Sequence, residues 1–553
     1  MHENARLKEM SCYFPLMLHY IAHALALCAR PGRAAGVRGD CMTENAAIHF
    51  VDRHVIEGRG GRIAFVEADG ARRSLSYGDL AEASARWAGA LMRHGVRREE
   101  RVAMILRDQI EFPVVFWGSL KAGAIPVPLN TLLAAPVYEA VLNDSRASIL
   151  VVSEQLWDTV KPAIDGNRFL RAVVVVGGQR LCDGTECLTW EAFMSGAEPA
   201  ETVEASGDEL AFWLYSSGST GVPKGVRHVH ASLKATADTF GAQVLGITEA
   251  DTVFSVAKLF FAYGLGNAMS FPMSVGAKTV LFAGRPTPDG VLEIMAREKP
   301  TLFCGVPTLF AALVAEQERR GGTPVHDIRL STSAGEALPR EIGERWERLW
   351  GTEIVDGVGS TEMLHIFLSN RPGDVVYGTS GVAVPGYEVR LVDEHDEDVP
   401  EGEVGELLVR GPSSAEGYWN RRSKSLSTFQ GHWTRTGDKY QRTREGRYVY
   451  CGRTDDMFKV SGIWVSPFEV EQALIEYPGV LEAAVVARAD EQDLVKPAAF
   501  VVLKPGATLD EESLKEHVKA RIGMWKYPRW VEVVEELPKT ATGKIQRFKL
   551  RAG

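Results

Sequence analysis

Residues 215–225 read Tyr-Ser-Ser-Gly-Ser-Thr-Gly-Val-Pro-Lys-Gly, a stretch that packs hydroxyls, glycines and one ammonium closely together. Hydroxyls and freely turning backbone N–H groups, with Lys224 behind them, make a loop able to wrap a polyphosphate. It is not a Walker A loop, because Lys224 lies between Pro223 and Gly225 where that motif needs Gly-Lys-Ser/Thr. A surface turn rich in small residues would share this composition, so the loop gains meaning only from what surrounds it. The preceding run Ala211-Phe212-Trp213-Leu214 is apolar and of strand length, and would hold one end of the loop on a sheet.

Other stretches supply the remaining scaffold. Residues 101–106, 148–152 and 172–176 are largely apolar runs, as expected of strands buried on both faces. Before them Leu80, Ala83, Trp87, Ala88 and Leu91 recur at helical spacing, with Ser76 placed to cap that helix and Asp79 in its first turn. Strands alternating with helices predict α/β layering with largely parallel sheets. From Cys451 to Gly462 charges and glycines become dense. The strand-like runs 483–487 and 498–503 follow, and predict a small C-terminal α+β domain joined through a hinge near Asp455. At 553 residues, more than one core is expected.

Composition sets the outer limits. Apolar residues make up 45% and charged residues 24%, as in ordinary globular proteins. A net charge of −10 argues against a general nucleic-acid binder, which needs a basic face to displace counterions. The 7 cysteines are odd in number and scattered, which reads as reduced thiols in a cytoplasmic protein. Cys182 and Cys187 have no second pair to complete a zinc site. The apolar run Tyr13–Cys28 is short and interrupted by histidines, so neither a membrane span nor a membrane partner is expected. Residues 1–41 read as an extension outside the fold.

The 215–225 loop does not stand alone. Ser333–Ala337, Asp356–Glu362, Thr436–Asp438, Gly452–Asp456 and Pro538–Lys544 follow it in the order and approximate spacing of the adenylate-forming enzymes. From roughly Thr43 onward the chain resembles that superfamily, which holds acyl-CoA synthetases, luciferases and adenylation domains. Residues 257–267 (Ala-Lys-Leu-Phe-Phe-Ala-Tyr-Gly-Leu-Gly-Asn), 359–370 and 465–469 look like the benzoate–CoA ligase branch in particular.

The resemblance implies a large domain over 42–454, a small mobile one over 455–553 carrying a catalytic lysine, and two half-reactions. An aryl carboxylate attacks the α-phosphate of ATP, and the CoA thiol then displaces AMP. By the same resemblance Ser216, Ser217, Gly218, Ser219, Thr220, Gly221 and Lys224 hold the β- and γ-phosphates. Thr361 bonds a phosphate oxygen and Glu362 holds Mg²⁺. Asp438 takes the ribose hydroxyls with Arg453 close by, although those two could instead form a structural ion pair. The backbone of Gly335, Glu336, Ala337, Asp356 and Gly357 lines the adenine. Lys544 neutralises charge developing during adenylation, and Asp455 is the hinge. Ala262, Tyr263, Gly359, His365 and Ile366 surround the aromatic acid, with His365 able to meet a carboxylate or a ring hydroxyl. Without the resemblance, Ala262 and Tyr263 would read as core packing.

Five points stay open. Leu309 and Phe310 leave the ring substituent undecided among benzoate, 4-hydroxybenzoate and aminobenzoate. Trp464 stands where acetyl-type relatives place an arginine, and Lys459 is as well read as a solvated charge as a ligand contact. Oligomeric state is open between monomer and homodimer, and a non-catalytic ATP- or aryl-acid-binding sensor is the rival of another class.

Overall fold

The computed structural model describes residues 44–216, 223–454, 456–460, 463–491, 494–539 and 545–551. The extension expected over residues 1–41 lies outside them.

The apolar runs become strands. Arg101–Ile105, Ile149–Ser153 and Ala172–Val176 lie in a wholly parallel five-stranded sheet, completed by Ile125–Pro128 and Glu186–Thr189. Every residue of Ile149–Ser153 and Ala172–Val176 is buried, because both faces of such a sheet are covered and no solvent face imposes alternation. Helix Tyr77–Arg93 starts at the expected cap: Ser76 Oγ accepts the Asp79 N–H and the Asp79 carboxylate accepts the Ser76 N–H, both at 3.1 Å. Its buried stripe includes Leu80, Trp87, Ala88 and Leu91.

A nine-stranded sheet positions the site. Its central strands are parallel and run in the order Ile354–Gly359, Leu330–Ser333, Leu302–Gly305, Thr252–Ser255, Lys278–Leu281 and Ile63–Glu67. Antiparallel strands close both edges: Ile366–Ser369 and then Val382–Ala383 at one, Ser74–Ser76 at the other. A three-stranded antiparallel sheet joins Leu210–Ser216, Lys224–Val229 and Gly417–Tyr418. A further antiparallel sheet is built on Glu388–Val392, Val404–Arg410, Trp433–Arg442 and Tyr448–Arg453.

The C-terminal portion is a small α+β unit, as the sequence predicts. Val480–Ala489, Val495–Leu503 and Trp530–Val533 form its sheet. Helices Pro467–Ile475 and Glu511–Ile522 close over a core of its own that includes Val470, Leu474, Val485, Val501, Leu514 and Val518. No helix among the described residues is long and apolar enough to cross a membrane.

Candidate active site

Neighbouring parallel strands deliver the loops after their carboxyl ends to one edge of the sheet, the usual place for a ligand in an open α/β sheet. Gly335–Ala337 follow Leu330–Ser333, Thr361 and Glu362 follow Ile354–Gly359, and Ala262 and Tyr263 follow Thr252–Ser255. These loops are tied together. The Tyr263 hydroxyl donates to the Thr332 carbonyl at 2.9 Å, His365 Nε2 meets the Tyr263 carbonyl at 3.3 Å, and Leu338 N–H reaches Asp356 Oδ2 at 3.5 Å.

The phosphate end is assembled from the three-stranded sheet. Ser216 pairs with Lys224 across the hairpin. Of the expected phosphate loop, Ser217, Gly218, Ser219, Thr220 and Gly221 lie outside the described residues. Lys224 is half-buried with its ammonium 4.6 Å from the centroid of the Tyr418 ring. Burial pulls its pKa down, a shift that the opposing field of Glu362 only partly offsets. Glu362 Oε1 accepts from the Tyr418 hydroxyl at 2.8 Å, and its main-chain carbonyl accepts the Ala415 N–H at 2.9 Å. The neighbouring Thr361 carbonyl is bound by His228 Nε2 at 2.8 Å. Burial takes His228 down to about 4, so it is a neutral donor at ordinary pH.

Asp438 and Arg453 face each other across the Trp433–Arg442 and Tyr448–Arg453 pair, with Arg453 Nη1 at 2.9 Å from Asp438 Oδ1. Asp438 raises the pKa of Arg453, and the charge of Glu362 also reaches it. The ion pair considered from sequence therefore forms, and a ribose would have to share Asp438 with it. Among the described residues no three His, Cys, Asp or Glu side chains group as a metal cage. A cation here would need oxygens from a bound phosphate beside the Glu362 carboxylate.

The second half of the site is aromatic. His365 stacks on Tyr263 at 5.6 Å between centroids, meets Phe271 edge-on at 4.5 Å and lies 5.1 Å from Phe240. Burial depresses His365 to about 3, so the ring is uncharged. With Nε2 donating to Tyr263, Nδ1 is an acceptor, and it has no partner among the described residues. A neutral acceptor suits a hydroxyl or amine better than the carboxylate that was the other option. Ile366 is buried beside it and Ala262 is half-buried. Gly359 is required by contact: a Cβ there would lie 2.5 Å from the His365 carbonyl oxygen. Asp356 is buried in its strand, which pushes its carboxyl up to about 8, and its carbonyl accepts the Asn370 N–H at 3.0 Å. Its burial fits the expected role of its backbone better than any role as an anionic ligand.

The structure thus brings Lys224, Thr361, Glu362, Asp438 and Arg453 to one end and Ala262, Tyr263, Gly359, His365 and Ile366 to the other. Ser216 lies at the first end, opposite Lys224, and Gly335, Glu336, Ala337, Asp356 and Gly357 lie on neighbouring strands and loops of the nine-stranded sheet. Asp455 and Lys544 lie outside the described residues, as do the side chains of Lys459 and Trp464. Sequence reasoning missed Tyr418, His228 and the Asp108–Lys258 anchor. Asp108 Oδ1 accepts the Leu259 N–H at 3.2 Å, and Lys258 Nζ donates to the Gly284 carbonyl at 2.9 Å, pinning the segment that leads into Ala262. The available signal for Tyr418 was the aromatic pair Tyr418-Trp419 in a polar stretch. For His228 it was the period-two register with Lys224, which puts both on one strand face.

Comparison with known proteins adds an independent finding. The AMP-binding enzyme family matches residues 52–419, and the AMP-binding enzyme C-terminal domain matches residues 469–544. A 4-hydroxybenzoate–CoA/benzoate–CoA ligase of Rhodopseudomonas palustris is 51% identical over 513 residues, 92% of this chain and 94% of that protein. The crystal structure of a benzoate CoA ligase from Burkholderia xenovorans LB400 superposes with a TM-score of 0.84 at 47% identity, covering 92% of this chain and all of that one. An anthranilate CoA ligase in complex with anthranoyl-AMP gives 0.86 at 40% identity, covering 92% of this chain and 97% of that one.

Proposed function

The chain belongs to the AMP-binding, adenylate-forming enzymes and within them to the benzoate–CoA ligase family, and from that premise we propose that it ligates benzoate, or a close aryl carboxylate, to coenzyme A at the expense of ATP. The observation that carries this reading is the juxtaposition just described. A cationic end with one uncollapsed carboxylate, Glu362, stands a few residues along the chain from an aromatic cluster around an uncharged histidine, His365, both positioned by the strand pair Ile354–Gly359 and Ile366–Ser369.

The residues divide the work. Lys224, with the residues of the 217–222 loop, holds the phosphates that leave as pyrophosphate, and Thr361 bonds a phosphate oxygen. Glu362 offers a hard oxygen, which fits Mg²⁺ shared with substrate phosphates, and the metal supplies charge neutralisation when bound. Asp438 and Arg453 receive the ribose. Lys544 supplies positive charge where the acid attacks the α-phosphate. No side-chain nucleophile is needed, because the substrate carboxylate attacks. Asp455 lets the small domain exchange the adenylation arrangement for one that admits CoA. Residues 1–41, outside the described residues, have no part in this reading, and the use of ATP and CoA is the support for a cytoplasmic location.

A second reading has its own support. The acceptor at His365 Nδ1, without a partner among the described residues, favours a ring bearing a donor, such as a hydroxyl or amine. Pyrophosphate exchange and CoA ligation across benzoate, 3- and 4-hydroxybenzoate and 2-aminobenzoate decide the substrate. ATP binding with no exchange for any of them would instead make the protein a sensor.

A further inference from the structure

Glu362 lies in the electrostatic field of two cations, Lys224 and Arg453. A carboxylate so placed gains by closing onto one of them, yet among the described residues Glu362 makes no ion pair within 4 Å. Its Oε1 is held instead by a neutral phenol, Tyr418, at 2.8 Å. Lys224 likewise makes no ion pair among the described residues, and its ammonium stands 4.6 Å over the ring of the same tyrosine. We propose that Tyr418 is a positioning residue for adenylation: its hydroxyl keeps Glu362 open for a metal-bound triphosphate, while its ring face seats the Lys224 ammonium. The proposal rests on the reading of Glu362 and Lys224 given above.

The local structure explains why this side chain can do both. Tyr418 pairs with Val226, two residues from Lys224, so lysine and tyrosine share a face as diagonal neighbours. The ring is buried and backed by Phe429 at 5.4 Å between centroids, and the Tyr418 N–H is bound by Ser425 Oγ at 3.0 Å. A ring fixed in this way presents its hydroxyl with little freedom left to lose. The same segment also bonds the Glu362 main chain through Ala415. A cation over an aromatic face keeps part of its solvation without forming a salt bridge that a phosphate would have to break.

Two substitutions separate the two functions. Tyr418→Phe keeps the ring and deletes the hydroxyl; Tyr418→Leu deletes both. Calorimetry of the whole protein would compare ATP with Mg²⁺ against ATP with EDTA, and amine labelling of Lys224 would be followed by peptide mass spectrometry. The Phe variant should bind the magnesium complex roughly tenfold more weakly, as Glu362 turns to a cation, with metal-free ATP binding affected less, melting temperature unchanged and Lys224 labelling no higher than native. In the Leu variant Lys224 labelling at pH 8 should also rise, by roughly five- to thirtyfold, as the ammonium loses the ring face. A Phe variant that binds the magnesium complex like the native protein, or a Leu variant with native Lys224 labelling, would overturn the proposal. Neither measurement needs an aryl acid. Failure of the native protein to exchange pyrophosphate would therefore count against the proposed reaction and leave standing only the part of Tyr418 in seating the magnesium complex.

Discussion

Replacing Gly359 with alanine tests whether the turn bearing Thr361 and Glu362 is positioned by the strand pair beneath it. The added Cβ would lie 2.5 Å from the His365 carbonyl oxygen, 2.6 Å from its carbonyl carbon and 2.8 Å from the Ile366 nitrogen. All three are backbone atoms, so no side chain can swing away. The pair formed by Ile354–Gly359 and Ile366–Ser369 already changes register between Val358 and Gly359, and must open further there. Bringing the closest contact even to 3.0 Å, the limit that real Cβ atoms observe, requires a 0.5 Å shift (3.0 − 2.5). That shift falls where the strand leading into Thr361 and Glu362 lies against the His365 backbone. Overpacking of this kind costs about 1–3 kcal/mol, and displacing reacting groups by about 1 Å can cost about 100-fold in rate. The variant should therefore lose about 10- to 100-fold in kcat/KM for pyrophosphate exchange, against both ATP and aryl acid, with a lowered melting temperature. Native kinetics at native stability would show that the 359–366 register does not hold the site, and the positional reasoning would fail.

Other consequences are local. Ala262→Phe should fill the ring slot and raise KM for benzoate by roughly 10-fold, from about 1–3 kcal/mol of overpacking, with KM for ATP nearly unchanged; equal effects on both substrates would remove Ala262 from the acid end. Lys544→Ala should abolish adenylation by roughly 100-fold or more yet leave thioester formation from supplied benzoyl-adenylate nearly intact. Asp455→Pro should do the reverse, because a fixed φ obstructs the domain swing; parallel loss of both half-reactions in the lysine variant would refute the two-orientation account. His228 binds protons near pH 6.5 when unfolded but only near 4 when folded, so its stabilising contribution is complete above 6.5 and is lost as pH falls toward 4. His228→Asn, which keeps a donor, should lose less stability than the native protein between pH 8 and 5.5, by about 1.4 kcal/mol. Denaturant titrations at the two pH values with an unchanged difference would contradict this.

Much of the protein is legible in the chain because the signals are local. The valine-rich run 172–176 has no polar face to offer and so becomes an inner parallel strand. Ser76 and Asp79 are close enough in sequence to cap the same helix end without outside help. The ordered motifs likewise name most of the candidate residues that the structure gathers, since the loop at a strand's carboxyl end is continuous with the strand that positions it. What the sequence by itself could not determine are relations between segments far apart in the chain. Tyr418 and Glu362 are 56 residues apart, and only the pairing of Gly417–Tyr418 onto the Lys224 strand brings that hydroxyl to that carboxylate. Whether Asp438 meets Arg453 depended on the register of an antiparallel pair, which a one-residue slip would have reversed. The charge state of His365 depended on burial against Tyr263, Phe240 and Phe271, since an imidazole loses its proton to desolvation that only a closed tertiary environment imposes.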